Sequence, residues 1–377
     1  MMTIIKESAP HLRRKASVTR MMSDVLIALA PTLIFSFIVY PLKTLVFYLI
    51  SVAIMEAAEF VYVGLKNMMP ADGKKHTFKE KFIYAYKGKY NQNNVLTAAI
   101  SAIIFTLIMP AGAPIYAVII GALAGIVFGK LVFGGLGSNI FNPAAVGMVF
   151  AKICFGSQYA TPTSNWFVKV PDAVAGATPL GGTDGAIYNA INNMSQYGLK
   201  ALVLGQVPGT LGEVYVITIL VGAIYLLIRR SADIRVMLPY LGLFALLSLV
   251  AGLSIFAVDG TTNPIRFTLY YCLTGGVLFG GVFMLTDPVT SPINAPSRII
   301  YAIIAAVFTI FIRLFAALPE GVGFSILIAN MIAVVLDHYE WSNPRYTWKK
   351  FLAMGLLVII PAAIIFGIIA SRLGGVY

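Results

Sequence analysis

The sequence predicts an all-α polytopic membrane protein, and three observations carry that prediction. Of the 377 residues, 59% are apolar and 11% are charged, where a soluble chain carries about 25% charged residues. The mean hydropathy is +0.86. Apolar runs near the roughly 20 residues that a bilayer demands recur along the whole chain. This composition excludes a cytosolic enzyme, a secreted disulfide scaffold and a disordered tail. The 27 Lys+Arg against 15 Asp+Glu are read by position and not as a nucleic-acid surface. In membrane proteins basic residues gather on the cytoplasmic side.

Residues 1–23 are a basic segment with Lys6, Arg13, Arg14, Lys15 and Arg20. No small-residue cleavage pattern follows the next apolar run, so the first helix is read as uncleaved. Spans are predicted at 24–42, 44–65, 95–110, 114–133 and 140–156, then at 213–228, 236–257, 267–286, 299–318 and 321–337. An eleventh, 351–371, ends the chain. The runs 95–110 and 140–156 are short and read as tilted or partly re-entrant.

Five domains of sequence follow: a cytoplasmic segment 1–23, a first membrane half 24–156, an extracytoplasmic loop 157–212, a second half 213–337, and a link with an extra C-terminal helix 338–377. Orientation rests on the loops. With the N-terminus inside, the 66–94 loop falls inside with Lys66, Lys74, Lys75, Lys79, Lys81, Lys87 and Lys89. So do Arg229, Arg230 and Arg235, and Arg345, Lys349 and Lys350. The 157–212 loop falls outside with only Lys169 and Lys200, and Tyr377 falls outside. Five spans are an odd number, so the second set starts on the opposite side, which is the arithmetic of a 5+5 inverted repeat. Gly125-Ile-Val-Phe-Gly129 resembles Gly276-Val-Leu-Phe-Gly280. This topology sends both runs inward, so the likeness is not counted for inversion.

Few side chains offer chemistry. Cys154 and Cys272 lie in apolar runs and read as small buried hydrophobes; two cysteines cannot supply a four-ligand cluster or zinc site. His11, His76 and His338 lie in polar stretches and suggest no metal site, so no metal ligand set is assigned. The acids inside apolar spans are Glu56, Glu59 and Asp337, with Arg313 as the lone intramembrane base. Each acid costs roughly 2.5–3.5 kcal/mol at a helix centre, which makes it a functional candidate. Glu56 and Glu59 share one helix face and read as an ion or proton site, an ion pair with a neighbouring subunit, or a pair near the interface with water. Asn-Pro at 142–143 and Asp-Pro at 287–288 break helices and free backbone groups, tolerated at membrane depth only when buried or lining a cavity. Asn139, Asn142, Thr286, Asp287 and Thr290 would there offer oxygens to an ion path or a bound ring, or simply cap helix ends. The ion-pathway candidates are Glu56, Glu59, Asn142, Asp287 and Asp337. The small, Gly-rich run 171–182 reads either as an exposed turn or as a site where an open threonine hydroxyl is modified.

Within that run, Asp172-x-x-x-Gly176-Ala177-Thr178 resembles the flavinylation motif of the RnfD/NqrB family of membrane redox subunits, with Ala175 where the family usually carries Ser or Thr. Phe133-Gly-Gly-Leu-Gly-Ser-Asn139-Ile-Phe141-Asn142-Pro143-Ala144, Pro208-Gly209-Thr-Leu-Gly212-Glu213 and Phe283-Met-Leu-Thr286-Asp287-Pro288-Val-Thr290-Ser-Pro292 resemble the same family, in family order. The resemblance spans about residues 20–340. It implies a urea-transporter-like fold and FMN joined to Thr178 through a phosphoester by a flavin transferase. Asp172, Gly176 and Ala177 would be recognition positions. It also implies a non-covalent riboflavin within the membrane part.

On the Rnf side the resemblance implies a complex in a bacterial or archaeal cytoplasmic membrane that passes electrons between reduced ferredoxin and NAD. That complex moves Na+ or H+, and partner subunits of the A, B, C, E and G type supply the remaining centres. The short N-terminal segment favours this branch over the B-type member of the family, from the Na+-pumping quinone reductase. Two further readings stand beside it: a urea-transporter-like channel without redox role, and a structural anchor with a dispensable flavin.

Overall fold

The computed structural model describes residues 17–68, 77–159, 167, 180, 186–316, 321–338 and 345–374. Among them the chain is helical, with one isolated bridge between Pro110 and Thr210. Helix α1 (Val18–Val39) starts at Ser17, whose hydroxyl accepts the Arg20 N–H, the usual way to satisfy a first-turn donor. Helix α2 (Pro41–Asn67) follows directly, with proline at its first position, where a missing N–H costs nothing. Then come α3 (Phe78–Tyr86), α4 (Gln92–Ile108), α5 (Ile115–Ile126) running into a π turn at Val127–Leu131, and α6 (Pro143–Tyr159). Helices α7 (Ala186–Gln196) and α8 (Leu199–Leu204) precede α9 (Val216–Arg229) and α10 (Ile234–Asp259). Helix α11 (Pro264–Leu273) and α12 (Val277–Phe279), the latter continuing as a π turn at Gly280–Met284, are followed by α13 (Ala295–Phe315), α14 (Val322–Leu336) and α15 (Trp348–Gly374).

All eleven predicted runs are helical, but they are not equal. Among the described residues, only α1, α2, α10, α13 and α15 are each long and apolar enough to cross a membrane alone. The runs at 95–110, 114–133, 140–156, 213–228 and 321–337 are short apolar helices. The expected continuous span 267–286 is two pieces bent by 60°. The break is Thr274-Gly275-Gly276, with φ of 62° and 71° at the two glycines. A Cβ on Gly276 would lie 2.5 Å from Glu213 Oε2, so this left-handed corner favours glycine on both conformational and steric grounds. A hydropathy average cannot see such a corner, because glycine scarcely lowers it. The loops are also richer than expected: α3 lies in 66–94, and α7 and α8 lie in 157–212. Cys154 is exposed and Cys272 half-buried, against the expectation that both are buried.

The packing repeats itself. Helix α2 packs on α4 and α5, and α5 on α6; likewise α10 packs on α11 and α13, and α13 on α14. The halves meet where α1 packs on α9 and α6 on α14. These equivalent helices run antiparallel. Asp24, near the start of α1, bonds residues at the end of α9. Asn142 at the start of α6 meets Asn330 late in α14, while Met148 and Val149 further along α6 meet Gly323 early in α14. Antiparallel equivalents are what an inverted pair requires. Helix α15 lies against α10 and α13 of its own chain, with Ile365 and Ile369 fully buried.

Candidate functional site

The two runs rich in helix breakers, 133–144 and 283–292, converge on one cavity. Its lining includes Thr97, Ser101, Ile100 and Ile104 of α4, Lys130 of the first π turn, Asn139, Asn142 and Pro143 before α6, Val282 and Phe283 of the second π turn, and Thr286 and Asp287. The space within its lining is about 760 Å³, with open solvent at its mouth included. Both π turns contribute, and such turns recur at functional sites. The first lies close to α6: a Cβ on Gly129 would be 2.7 Å from Pro143 Cα. Only a side-chain-free surface allows that approach.

Beside the cavity is a buried ionic cluster. Lys130 Nζ lies 2.9 Å from Glu59 Oε2, with both side chains at most 3% exposed, and donates to Thr97 Oγ1 at 2.9 Å. Glu59 Oε1 accepts from Asn94 Nδ2 at 3.0 Å. Glu56 is half-buried, and its Oε2 accepts the Tyr90 hydroxyl at 3.2 Å. The Tyr90 pKa is pushed up to about 12, first by burial and then by Glu56, so that hydroxyl is a donor at neutral pH. Asp287 accepts the Val289 N–H at 3.1 Å. Burial pushes its carboxyl pKa up, with the Val289 N–H and Lys130 acting against that.

Of the five ion-pathway candidates, the structure gathers Glu56, Glu59, Asn142 and Asp287 around or beside this cavity. Asn142 is fully engaged. Its Oδ1 accepts the Ala144 and Ala145 N–H groups, its Nδ2 donates to Met284 O at 3.3 Å, and its N–H donates to Asn330 Oδ1 at 3.2 Å. Asn330 in turn donates to Tyr301 Oη at 2.9 Å. This network caps α6 and satisfies a carbonyl of the second π turn. Asp337 stands away from the cavity lining; it accepts the Ile293 N–H at 3.0 Å and ties a loop to the end of α14.

Besides Glu213, which the sequence reading placed only in a motif and which is buried at the start of the span 213–228, two buried charges escaped that reading. Lys130 falls inside the predicted span 114–133, so Arg313 is not the lone intramembrane base. Asp24 opens the span 24–42. It is 2% exposed and accepts from Tyr225, Arg229 and Ser231. Both were legible as charges within apolar runs. Arg313 itself serves the corner between α11 and α12. It donates to Tyr271 O at 2.8 Å, Thr274 O at 3.1 Å and Gly275 O, and its guanidinium lies 5.3 Å from the Phe244 ring centroid. Those carbonyls lose helical partners at the break, and the guanidinium supplies them.

Asp172, Gly176, Ala177 and Thr178 lie outside the described residues. Leu180, two residues beyond Thr178, is 5% exposed, and its Cδ1 would be 2.8 Å from a Cβ on Gly275. The run 208–213 closes against the end of α4, with Leu211 N–H to Met109 O at 3.0 Å and Gly212 N–H to Leu107 O at 2.8 Å.

Residues 5–345 match the model of the NQR2, RnfD, RnfE family. The chain is 36% identical over 244 residues to the B-type subunit of the Na(+)-translocating NADH-quinone reductase of Chromohalobacter salexigens, covering 64% of this chain and 57% of that protein. It is 29% identical to the D-type subunit of the Na(+)-translocating ferredoxin:NAD(+) oxidoreductase complex of Acetobacterium woodii, covering 88% and 92%. It is 28% identical to the D-type subunit of the proton-translocating ferredoxin:NAD(+) oxidoreductase complex of Clostridium ljungdahlii, covering 88% and 93%. The chain thus spans less than two thirds of the quinone-reductase relative and nearly all of the two D-type relatives.

Proposed function

The chain belongs to the NQR2, RnfD, RnfE family, and from that premise we propose that it is the D-type membrane subunit of an ion-translocating ferredoxin:NAD(+) oxidoreductase. It would be a flavin-carrying part of an electron-transport complex that moves Na+ or H+, not catalytic alone. The near-full-length likeness to two D-type relatives supports this branch. The higher identity to the B-type quinone-reductase relative keeps that protein as the second reading. Assaying the purified complex with reduced ferredoxin and NAD, against NADH and a quinone, separates the two; turnover only with NADH and quinone would favour the second.

The observation that carries a redox role is the convergence of residues 133–144 and 283–292 on one cavity beside a buried ion pair. The lining fits riboflavin in kind. Ile100, Ile104, Val282 and Phe283 offer apolar surface to a flat ring, and Thr97, Ser101, Asn139 and Thr286 offer hydrogen bonds to its heteroatoms and hydroxyls. Bound there, a flavin supplies one- and two-electron chemistry, and the protein sets its position and electrostatics.

The second flavin is FMN on Thr178, attached by a flavin transferase, with Asp172, Gly176 and Ala177 read by that enzyme. Leu180, two residues further along the sequence, is itself buried beside Gly275. Mass analysis of the peptide spanning 172–178, from protein co-produced with a flavin transferase, tests it. The expected outcome is an FMN-sized increment, absent in Thr178→Ala. A Thr178→Ala complex that assembles and keeps full turnover would favour the structural anchor. The orientation proposed is the N-terminus in the cytoplasm and residues 157–212 outside, in a bacterial or archaeal cytoplasmic membrane.

A further inference from the structure

Lys130 lies where the cavity meets the acidic face of α2. It lines the cavity, is 2% exposed, and is held by a π turn. The charged groups that face it come from two sides. From α2 come Glu59, paired at 2.9 Å, and Glu56, one turn away. From across the cavity comes Asp287, at longer range. From α4, Asn94 and Thr97 contribute only neutral hydrogen bonds. One ammonium therefore serves three carboxyl groups. Glu56 Oε1 is buried and has no hydrogen-bond partner among the described residues, so the cluster holds an acceptor oxygen in reserve. In so weakly screened a place, an added unit charge acts over several ångströms.

We propose that Lys130 is the electrostatic link between the cavity and α2: negative charge arriving in the cavity draws its ammonium from Glu59, and the Glu56–Glu59 face takes up one monovalent cation in exchange. This rests on reading the cavity as the seat of a redox group. The balance is one for one. An electron delivered from reduced ferredoxin adds one negative charge to the cavity. One H+ or Na+ bound by the carboxylates adds one positive charge, so the net charge of the site is unchanged. When the electron passes on through the complex toward NAD+, the ammonium returns to Glu59 and the cation is released. A purely structural pair would merely hold α5 to α2, and would not respond to oxidation state.

The test uses the purified complex and dicyclohexylcarbodiimide, which modifies protonated buried carboxyl groups, with adducts at Glu56 and Glu59 measured by mass spectrometry. In the oxidised complex both residues should resist. After reduction in Na+-free buffer, modification should rise at least severalfold. Protection by added Na+ identifies Na+ as the cation, and indifference to Na+ identifies H+. Lys130→Gln should be modified equally in both oxidation states, while Lys130→Arg should keep the dependence. Riboflavin extracted from the same wild-type sample separates the possible failures. Flavin present with modification blind to oxidation state overturns the link alone. No extractable flavin overturns the reading of the cavity, and the link with it.

Discussion

Asp24 is held by three side chains more than two hundred residues away in the chain. Ser231 donates to Oδ2 at 2.6 Å, and Arg229 and Tyr225 donate to Oδ1 at 3.1 and 3.2 Å. Asp24→Ala leaves the buried Ser231 hydroxyl without its acceptor, an omission that costs about 1–3 kcal/mol. The apparent Tm of the detergent-solubilised protein should fall, while flavin content per folded molecule stays constant. Asp287 behaves differently, because burial raises its pKa. An acid with a raised folded pKa contributes stability below its unfolded pKa, and that contribution is lost as pH rises through the folded value. Asp287→Asn should therefore gain on the wild type as pH rises from about 4, with the gap levelling once the folded carboxyl has ionised. Melting curves across that range check it; a gap that narrows with rising pH would contradict the assigned shift.

At the scale of elements, the corner between α11 and α12 is the feature most exposed to a single change. Gly276 has a φ of 71°, a conformation that costs other residues roughly 1–2 kcal/mol. A Cβ there also meets the Glu213 carboxylate. Gly276→Ala should lower the apparent Tm by more than Gly242→Ala, whose added Cβ meets nothing within 4 Å. Equal losses would show that the corner is not a constraint. The short helices have a related logic. Helices α4, α6 and α14 begin or end within the bundle, where freed backbone groups need partners. Asn142 and Asn330 supply these for α6 and the second π turn, and Arg313 supplies them for the corner.

At the scale of the whole molecule, α15 is an addition to two packed halves. It covers α10 and α13 with one face and presents Leu356, Ile359, Ile360 and Phe366 outward. Ending the chain after residue 345 should destabilise the protein yet leave the cavity intact, since no residue of α15 lines it. Retained riboflavin with a lower apparent Tm is the expected result. A tag after Tyr377 should be reached only from outside the cell; labelling solely from the cytoplasm would reverse the proposed orientation. The sequence by itself determined the class of protein, the eleven apolar runs, the odd number before the long loop, and the motifs that gather at one cavity. It could do so because hydropathy is a property of composition, and breakers such as Asn142-Pro143 and Asp287-Pro288 announce themselves locally. Only the tertiary structure decided which charges meet. Glu59 finds Lys130 on another helix, and Asp24 finds Ser231 across the seam between the halves. Those pairings arise from helices packing in a medium where an unpartnered charge is too costly to leave alone, and no local pattern in the chain encodes them.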